Sequence, residues 1–205
     1  MEQNSFTDWR QYPVRLVILT IVGAILGSLL DGFHTHSGTT VYTHPWLFLM
    51  AWWTPILFGG ANVVMVVTHL ELDKRWQRIG PRLSLPQLLM LTTWFFALYY
   101  LSGYLPTNNR GIALILGCSW ALLWIRFDRS WQGIVLALMT GAVGCLVEIT
   151  LIYLGTYHFS RPDRFGIPQW LPALYMLASL CVGSIGRAVI YGFSSPKSAS
   201  RHYSM

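Results

Sequence analysis

Apolar residues in this chain form six long runs that contain almost no charged side chains. A helix needs about 20 residues to cross the hydrocarbon core of a membrane, and the runs are of that order, although the fourth is shorter. We therefore predict an all-α membrane protein in which six transmembrane helices form one bundle. The whole chain, residues 1–205, is expected to be a single domain. The predicted spans are residues 13–30, 45–68, 86–105, 111–125, 133–154 and 170–191.

Prolines mark several positions along these runs. Pro13 and Pro86 open the first and third runs, and proline is favoured in the first turn of a helix. Pro55 instead falls inside the second run, where it predicts a kink. The bulky Trp53 precedes this proline and the small Gly59 follows it. A kink between bulky and small residues is expected to open space between helices.

Lysine and arginine are distributed unevenly between the loops. Of the 14 basic residues, only Arg110, Arg161 and Arg164 fall on one side of the predicted membrane. Because basic residues accumulate in cytoplasmic loops, the pattern predicts a multi-pass membrane protein with both termini in the cytoplasm. The basic residues on the predicted cytoplasmic side are Arg10, Arg15, Lys74, Arg75, Arg78, Arg82, Arg126, Arg129, Arg187, Lys197 and Arg201.

The composition agrees with a membrane protein. Of the 205 residues, 54% are hydrophobic and only 11% are charged, whereas a soluble domain has about a quarter charged residues. The net charge of +6 comes from short loops between apolar runs, so we attribute it to membrane topology rather than to nucleic-acid binding. Cys118, Cys145 and Cys181 lie in three separate apolar runs, which argues against a disulfide framework and a thiolate metal site.

Glu148 is, with these spans, the only acidic residue well inside the membrane. An ionisable group at that depth is costly unless it is neutral, paired or hydrated, and it marks a functional site by default. Helical spacing places Gly144 on the same stripe, so Glu148 is predicted to face the bundle interior. Two interpretations stay open: the acid anchors a lipid hydroxyl in an interhelical cavity, or it is protonated and hydrogen-bonded to a neighbouring helix. The residues predicted to line the cavity are Glu148, Asn62, Trp53, Pro55, Gly144 and Tyr153.

Polar residues on the predicted non-cytoplasmic side suggest an alternative function. His-x-His beside an aspartate can ligate zinc, and such a site would make the protein a membrane-embedded, metal-dependent enzyme. No H-E-x-x-H or G-x-S-x-G motif accompanies these residues, so neither a metal nor another cofactor is predicted. The residues of this alternative site are Asp31, His34, His36, His44, His158 and Asp163.

A small transporter is the third hypothesis. Transporters often contain internal repeats, but the comparison of spans 1–3 with spans 4–6 gives no matching motif. A proton relay would also need a second acid in the membrane. Gly23 and Gly27 form a G-x-x-x-G pair in the first span, and such pairs bring helices together, so homo-oligomerisation stays open.

Several short motifs, in this order, resemble the Insig (insulin-induced protein) family of six-span membrane proteins. The similarity is strongest after the fourth span and weaker in the first and third spans. The motifs are A-W-W-T-P (Ala51–Pro55), L-W-I-R-F-D-R-S (Leu123–Ser130), Tyr153 with Gly155 and Tyr157, Pro162-Asp163, W-L-P (Trp170–Pro172) and V-G-S-I-G-R (Val182–Arg187).

This resemblance implies a non-enzymatic membrane protein that binds or senses a lipid. Eukaryotic Insigs bind oxysterols and hold sterol-sensing-domain partners in the endoplasmic reticulum, so the resemblance implies a sterol ligand and a membrane-protein partner. The family's helices are understood to enclose a lipid cavity, in agreement with the cavity expected near Pro55 and Glu148. Asp163 matches an acidic position that is tied to partner function in the family. The other matched motif residues are Phe127, Asp128, Arg129, Gly186 and Arg187.

The chain also departs from the animal Insigs. Ile56, Leu57 and Phe58 stand where animal members have cysteines, and the C-terminal tail shows no retention signal. These departures favour a compact bacterial homologue, which would lie in the cell membrane instead of the endoplasmic reticulum. Another neutral lipid with one hydroxyl, such as diacylglycerol, would then replace the sterol in a mostly apolar cavity.

Overall fold

Six long helices run back and forth through the molecule in the computed structural model, which describes residues 8–194. The all-α bundle of six helices predicted from the sequence is confirmed. Lys197, Arg201 and the tail without a retention signal lie outside the described residues. The helices are α1 (Pro13–His36), α2 (Thr54–Arg75), α3 (Leu85–Tyr104), α4 (Asn109–Phe127), α5 (Trp131–Tyr153) and α6 (Leu171–Tyr191).

Five of these helices are long and apolar enough to cross a membrane. The sixth, α3, has 20 residues and therefore extends about 30 Å, which is also the thickness of the hydrocarbon core. It contains no charged residue. The protein is a multi-pass membrane protein.

The non-cytoplasmic end of the bundle carries a small two-stranded ribbon. Strands β1 (Thr40–Tyr42) and β2 (Tyr157–Phe159) pair antiparallel. Each strand is followed by a single turn of 3-10 helix, which we call the first rim turn (Leu47–Leu49) and the second rim turn (Arg164–Gly166). The ribbon therefore joins the loop between α1 and α2 to the loop between α5 and α6.

Two of the predicted spans differ clearly from the helices in the structure. The prediction of a kink at Pro55 is wrong, because α2 begins at Thr54 and Pro55 lies in its first turn. Proline is tolerated there because the amide that it lacks would have no partner inside the helix. The predicted span 45–68 therefore shifts along the chain, and α2 continues to Arg75. Helix α1 continues past residue 30 to His36, which places Asp31 and His34 inside a membrane helix.

Helix α6 lies at the centre of the bundle. It contacts α2, α3, α4 and α5, and it contains more buried residues than any other helix. Helix α1 packs chiefly against α2, and α5 packs chiefly against α6. Helix α3 contacts both α1 and α6 and so fills the groove between them.

An internal repeat relates the hairpin α1–α2 to the hairpin α5–α6. Residues 38–55 align with residues 155–172 without a gap. The identical pairs are Gly38 and Gly155, Thr39 and Thr156, Pro45 and Pro162, Phe48 and Phe165, Trp53 and Trp170, and Pro55 and Pro172. The sequence comparison of the two halves did not reveal this repeat. It compared spans 1–3 with spans 4–6, whereas the repeat relates the first two helices to the last two.

The hydrogen bonds of the ribbon also occur in pairs that the internal repeat relates. The Thr43 amide donates to the Thr156 carbonyl (3.1 Å), and the equivalent Ser160 amide donates to the Thr39 carbonyl (3.0 Å). At the ribbon's centre, Val41 pairs with its own equivalent, His158. A local two-fold axis therefore passes through the ribbon. Because equivalent helices run in the same direction, this axis is parallel to the helices and to the membrane normal.

The two hairpins meet again where α2 crosses α6. A Cβ atom on Gly183 would collide with the His69 ring, and one on Gly186 would collide with Val66. These two contacts are also equivalent in the repeat. Small residues at helix crossings allow the backbones to approach closely, so the glycines set the distance between α2 and α6.

A buried ion pair joins α2 to α6 at the predicted cytoplasmic end. Arg187 Nε donates to Asp73 Oδ2 (2.7 Å), and Arg187 Nη2 donates to Asp73 Oδ1 (2.9 Å). The two side chains are 1% and 0% exposed. The Gly80 amide also donates to Asp73 (3.3 Å), and Gly80 lies directly against the guanidinium. The bidentate geometry is the strongest form of this interaction.

Replacement of Asp73 by Asn is expected to lower the free energy of unfolding by about 3–5 kcal/mol, because it leaves the Arg187 charge buried without its partner. Denaturant unfolding in detergent would measure the loss. The matched control is Glu71→Gln in the exposed pair with Arg75, which should change stability little. The double variant Asp73→Leu with Arg187→Met should regain most of the stability. Equal stabilities for Asp73→Asn and Glu71→Gln would contradict this account of the pair.

Candidate functional site

Two acidic side chains lie inside the membrane helices at equivalent positions of the repeat. Asp31 lies near the non-cytoplasmic end of α1, and Glu148 lies near that of α5. Asp31 is buried and accepts a hydrogen bond from the Tyr42 hydroxyl (2.9 Å). Glu148 is half-buried and accepts one from the Tyr175 hydroxyl. The prediction that Glu148 is the only membrane acid is therefore wrong, since it placed Asp31 in a loop.

An aromatic ring packs over a glycine one turn before each acid. A Cβ atom on Gly144 would collide with the Tyr175 ring, and one on Gly27 would collide with the Phe58 ring. These contacts are equivalent, but Phe58 has no hydroxyl to offer. Asp31 is bonded by Tyr42 of the ribbon instead. Glu148 thus takes its hydrogen bond from the neighbouring helix, whereas Asp31 takes it from the ribbon.

Tyr42 connects the two acids. Burial raises the pKa of Tyr42, the nearby charge of Asp31 raises it further, and the charge of Glu148 adds to the effect. The phenol therefore stays protonated and acts as a donor. Its ring lies 5.2 Å from that of Tyr157 across the ribbon. We call Asp31, Tyr42, Glu148, Tyr157 and Tyr175 the acid–tyrosine cluster.

Two buried hydroxyls in this region make no hydrogen bond within the part of the chain that is described. They belong to Tyr157 and to Thr54, the first residue of α2. Buried polar groups normally have partners, and each exception needs an explanation. The Tyr157 hydroxyl is available to a polar group or to water in the cluster, whereas the Thr54 hydroxyl lies beside that of Tyr42.

The repeat also shows which groove of the bundle is open. On α6, Cys181 is 1% exposed and donates its thiol to Thr92 of α3 (3.7 Å). Its equivalent on α2, Val64, is 64% exposed. Leu177 of α6 is fully buried, whereas a Cβ atom on its equivalent, Gly60, would meet nothing within 4 Å. Helix α3 thus covers one of two equivalent grooves and leaves the other uncovered.

We call the uncovered surface between α2 and α5 the α2–α5 groove. On the covered side, the Leu30 side chain of α1 is 4% exposed, whereas its equivalent on α5, Val147, is 40% exposed. Asp31 lies on the same side of α1 as His34, whose ring stacks on Tyr99 of α3. The equivalent side of α5 holds Glu148. Glu148 therefore lies on the side of α5 that faces the open groove, with its carboxyl group buried against Tyr175.

The structure separates the residues predicted for the cavity. Glu148 and Gly144 lie together at the Tyr175 ring, and Trp53 packs against Tyr42, with ring centroids 5.8 Å apart. Asn62 instead donates to the Leu19 carbonyl (2.8 Å) and so joins α2 to α1. Pro55 lies in the first turn of α2. Tyr153 is 89% exposed at the end of α5 and does not belong to the cluster.

The motif residues at the predicted cytoplasmic face form the turn between α4 and α5. Phe127 and Asp128 are buried, and Arg129 is exposed with a φ of 57°. Asp128 accepts from the Ser130 amide (2.9 Å), and the Ser130 hydroxyl accepts from the Gly133 amide (3.0 Å) at the start of α5. Gly186 and Arg187 lie in the α2–α6 crossing.

Asp163 lies at the opposite end of the bundle and is exposed. Its carboxylate accepts from the Asn109 side chain (2.8 Å) and from the Gln169 amide (2.9 Å). Asn109 in turn accepts from the Trp170 indole (3.2 Å). Asp163 therefore links the loop before α6 to the start of α4.

The alternative metal site is not assembled. His34 is buried and hydrogen-bonds Ser102 of α3 (2.8 Å), and Asp31 is bonded to Tyr42. His36, His44 and His158 are exposed. Between residues 8 and 194, no three His, Cys, Asp or Glu side chains lie close enough together to hold a metal ion.

Comparison with known proteins identifies the family. No protein-family model matches the chain. It is 30% identical over 200 residues to the insulin-induced gene 1 protein of Gallus gallus, and the alignment covers 92% of this chain and 77% of that protein. The chain belongs to the Insig family. The insulin-induced gene 1 protein of Danio rerio is 28% identical over 186 residues, which cover 87% of this chain and 73% of that Insig.

A solved Insig structure has the same fold. The crystal structure of a mycobacterial Insig homolog, MvINS from Mycobacterium vanbaalenii, superposes with a TM-score of 0.77 and 22% identity. The match covers 89% of this chain and 97% of that chain. A cross-linked trimer of MvINS gives the same agreement. The resemblance to the Insig family inferred from the sequence motifs is confirmed.

Removal of the Tyr42 hydroxyl should destabilise the protein, because buried Asp31 then loses its hydrogen-bond donor. We expect Tyr42→Phe to lower the free energy of unfolding by about 1–3 kcal/mol. Unfolding by denaturant in detergent would measure the change. The same substitution at the exposed Tyr153 provides the control and should have no measurable effect. A Tyr42→Phe variant as stable as Tyr153→Phe would show that this hydrogen bond contributes little.

Proposed function

We propose that this Insig binds an amphiphilic membrane lipid at the acid–tyrosine cluster and catalyses no reaction. The observation that carries the proposal is the buried carboxyl group of Glu148, which is bonded by Tyr175 on the side of α5 that faces the open α2–α5 groove. The lipid's hydroxyl would bond this carboxyl group. Its apolar part would lie between α2 and α5.

The chemistry of the groove supports a ligand with one polar end. Its sides are aliphatic, with Val64 of α2 and Val147 of α5 exposed, and a Cβ atom on Gly60 of α2 would meet only open space. Polar groups are few and lie at one end, which is typical of sites that bind apolar molecules in one orientation. A sterol and diacylglycerol both carry a single free hydroxyl on a large apolar body, so both fit this description.

The absence of catalysis is part of the proposal. The acids of the cluster are bonded to tyrosines, and among residues 8–194 no side chain beside them has the form of an activated nucleophile. The histidines that suggested a metal-dependent enzyme are dispersed. Lipid binding therefore accounts for the cluster without a reaction.

A membrane-protein partner is a second element of the proposal. Arg129 and Asp163 are exposed at opposite ends of the bundle, where a partner could contact them. The cross-linked trimer of MvINS supports the further proposal that this chain forms homo-oligomers. A protein partner and homo-oligomers are both compatible with lipid binding at the acid–tyrosine cluster.

The first test fills the groove. Gly60→Leu places a side chain where a Cβ atom would meet nothing within 4 Å, and leucine is the better helix former, so the fold should persist. We expect the amount of lipid that copurifies with the protein to fall about tenfold, which corresponds to about 1.4 kcal/mol of binding free energy. Mass spectrometry of the extracted lipid would measure it.

Gly117→Leu is the matched control for this test. Gly117 is also a mid-helix glycine with open space, but it lies on α4, away from the groove. This variant should retain the lipid at the level of the unchanged protein. Equal lipid content in both variants, or a wild-type extract that contains only bulk phospholipid, would contradict the proposed site.

The second test removes the polar anchor. Glu148→Leu should reduce the copurified neutral lipid, because the ligand's hydroxyl loses its acceptor. Glu148→Gln retains an acceptor oxygen and should retain more lipid. The thermal unfolding midpoint of each variant would show whether the bundle remains intact. Unchanged lipid content in a correctly folded Glu148→Leu variant would instead support a purely structural role for the acid.

A further inference from the structure

The two rim turns have the same backbone conformation. In the first, the Trp46 amide donates to the Met50 carbonyl (2.7 Å), and in the second, the equivalent Asp163 amide donates to the Ile167 carbonyl (3.1 Å). Each turn also contains a phenylalanine with a positive φ, Phe48 at 52° and Phe165 at 58°. The turns are therefore equivalent parts of the repeat.

Both turns expose their shared phenylalanine, Phe48 at 64% and Phe165 at 78%. The remaining exposed side chains of the two turns have opposite character. Trp46, Leu47, Leu49 and Trp52 correspond to Asp163, Arg164, Gly166 and Gln169. The first set is apolar and exposed; Trp46, for example, is 69% exposed. We call Trp46–Leu49 together with Trp52 the apolar rim. Because the two-fold axis is parallel to the membrane normal, both turns lie at the same depth.

The surroundings of the turns explain the difference. The second rim turn lies beside the start of α4, where Asn109 bonds Asp163 and the Arg161 carbonyl. Protein therefore lies between this turn and the lipid on that side. The α1–α2 hairpin has no equivalent of α4 among the described residues, so the first rim turn lies at the periphery of the bundle.

The apolar rim continues the lipid-facing surface of α1 and α2. Ile21, Ile25 and Leu29 form an exposed stripe along α1, and Gly32 follows one turn later. Gly32 lies against Phe48 of the rim, which extends the stripe beyond the helix. On α2, the exposed Ile56 follows the exposed Trp52 in the same way.

The protein holds this turn in a fixed conformation. The Thr35 hydroxyl of α1 donates to the Phe48 carbonyl (2.8 Å), and Phe48 and Leu49 both have positive φ. Non-glycine residues avoid this conformation unless the surrounding structure imposes it. The result is a rigid platform of large apolar side chains at the end of two membrane helices.

We propose that the apolar rim is a membrane anchor that inserts into the interfacial region of the non-cytoplasmic leaflet. Tryptophan favours that region because its ring is apolar and its N–H is polar. Leu47, Phe48 and Leu49 extend below the headgroups, as the apolar residues of interfacial segments do. The equivalent second rim turn remains in water.

A nitroxide label at Leu47 or at Arg164 tests this proposal by electron paramagnetic resonance. Cys118, Cys145 and Cys181 are first replaced by Ala, and Leu47→Cys or Arg164→Cys is then labelled in phosphatidylcholine nanodiscs. The label at position 47 should collide more often with oxygen, which concentrates in lipid, than with a water-soluble nickel complex. Position 164, the matched control, should show the reverse.

The outcomes distinguish the possible environments of the rim. Water-like collision rates at both positions would overturn the anchor. A strongly immobilised label at position 47, inaccessible to both reagents, would show that protein, such as a second copy of this chain, covers the rim instead of lipid. Should the cysteine-free background fail to fold, brominated lipids can replace the label. They should then quench the fluorescence of the unchanged protein more than that of Trp46→Phe with Trp52→Phe.

Discussion

The crossing of α2 and α6, closed by the ion pair between Asp73 and Arg187, is the constraint on which the remaining structure depends. Neither charge has access to water, so each is tolerable only because the other lies beside it. Gly183 and Gly186 bring the two helices close enough for the pair to form. The ribbon joins the same two hairpins at the opposite end. The hairpins are thus fixed to each other at both ends of the bundle.

Helix α3 breaks the two-fold relation between the hairpins, and the proposed lipid site depends on this asymmetry. Two equivalent grooves arise when the hairpins are joined, and α3 covers the one between α1 and α6. The acid beside the covered groove, Asp31, is sealed by Tyr42. The acid beside the open groove, Glu148, remains half-buried. Two equivalent carboxyl groups thereby acquire different hydrogen-bond partners, and the proposal assigns the lipid to Glu148 alone.

Hydropathy predicted the helices well but not the polar residues at their ends. The bounds of α3, α5 and α6 fall within two residues of the prediction, because the apolar runs end there in loops. Asp31 and His34 look like loop residues, and only contacts with Tyr42 and Ser102 explain their burial. A proline such as Pro55 is compatible with either a kink or a helix start. The strand and turn that precede it occupy residues 40–49, so α2 begins only at Thr54. Spacing placed Gly144 beside Glu148, but the contacts with Tyr175 and Tyr42 come from distant segments that spacing cannot join.

Comparison of the two equivalent hairpins distinguishes residues that both hairpins share from residues that occur in only one of them. Glycine, proline and tryptophan recur where the backbone turns or a helix begins, as at Trp53 and Trp170, because both hairpins need the same local geometry. Differences occur where each hairpin meets different surroundings. Tyr175 replaces Phe58 beside the open groove, and Gly60 replaces Leu177 where α3 is missing. Since the backbone is equivalent at these positions, the fold alone does not require the differences. They are therefore the positions at which ligand and membrane contacts are to be sought.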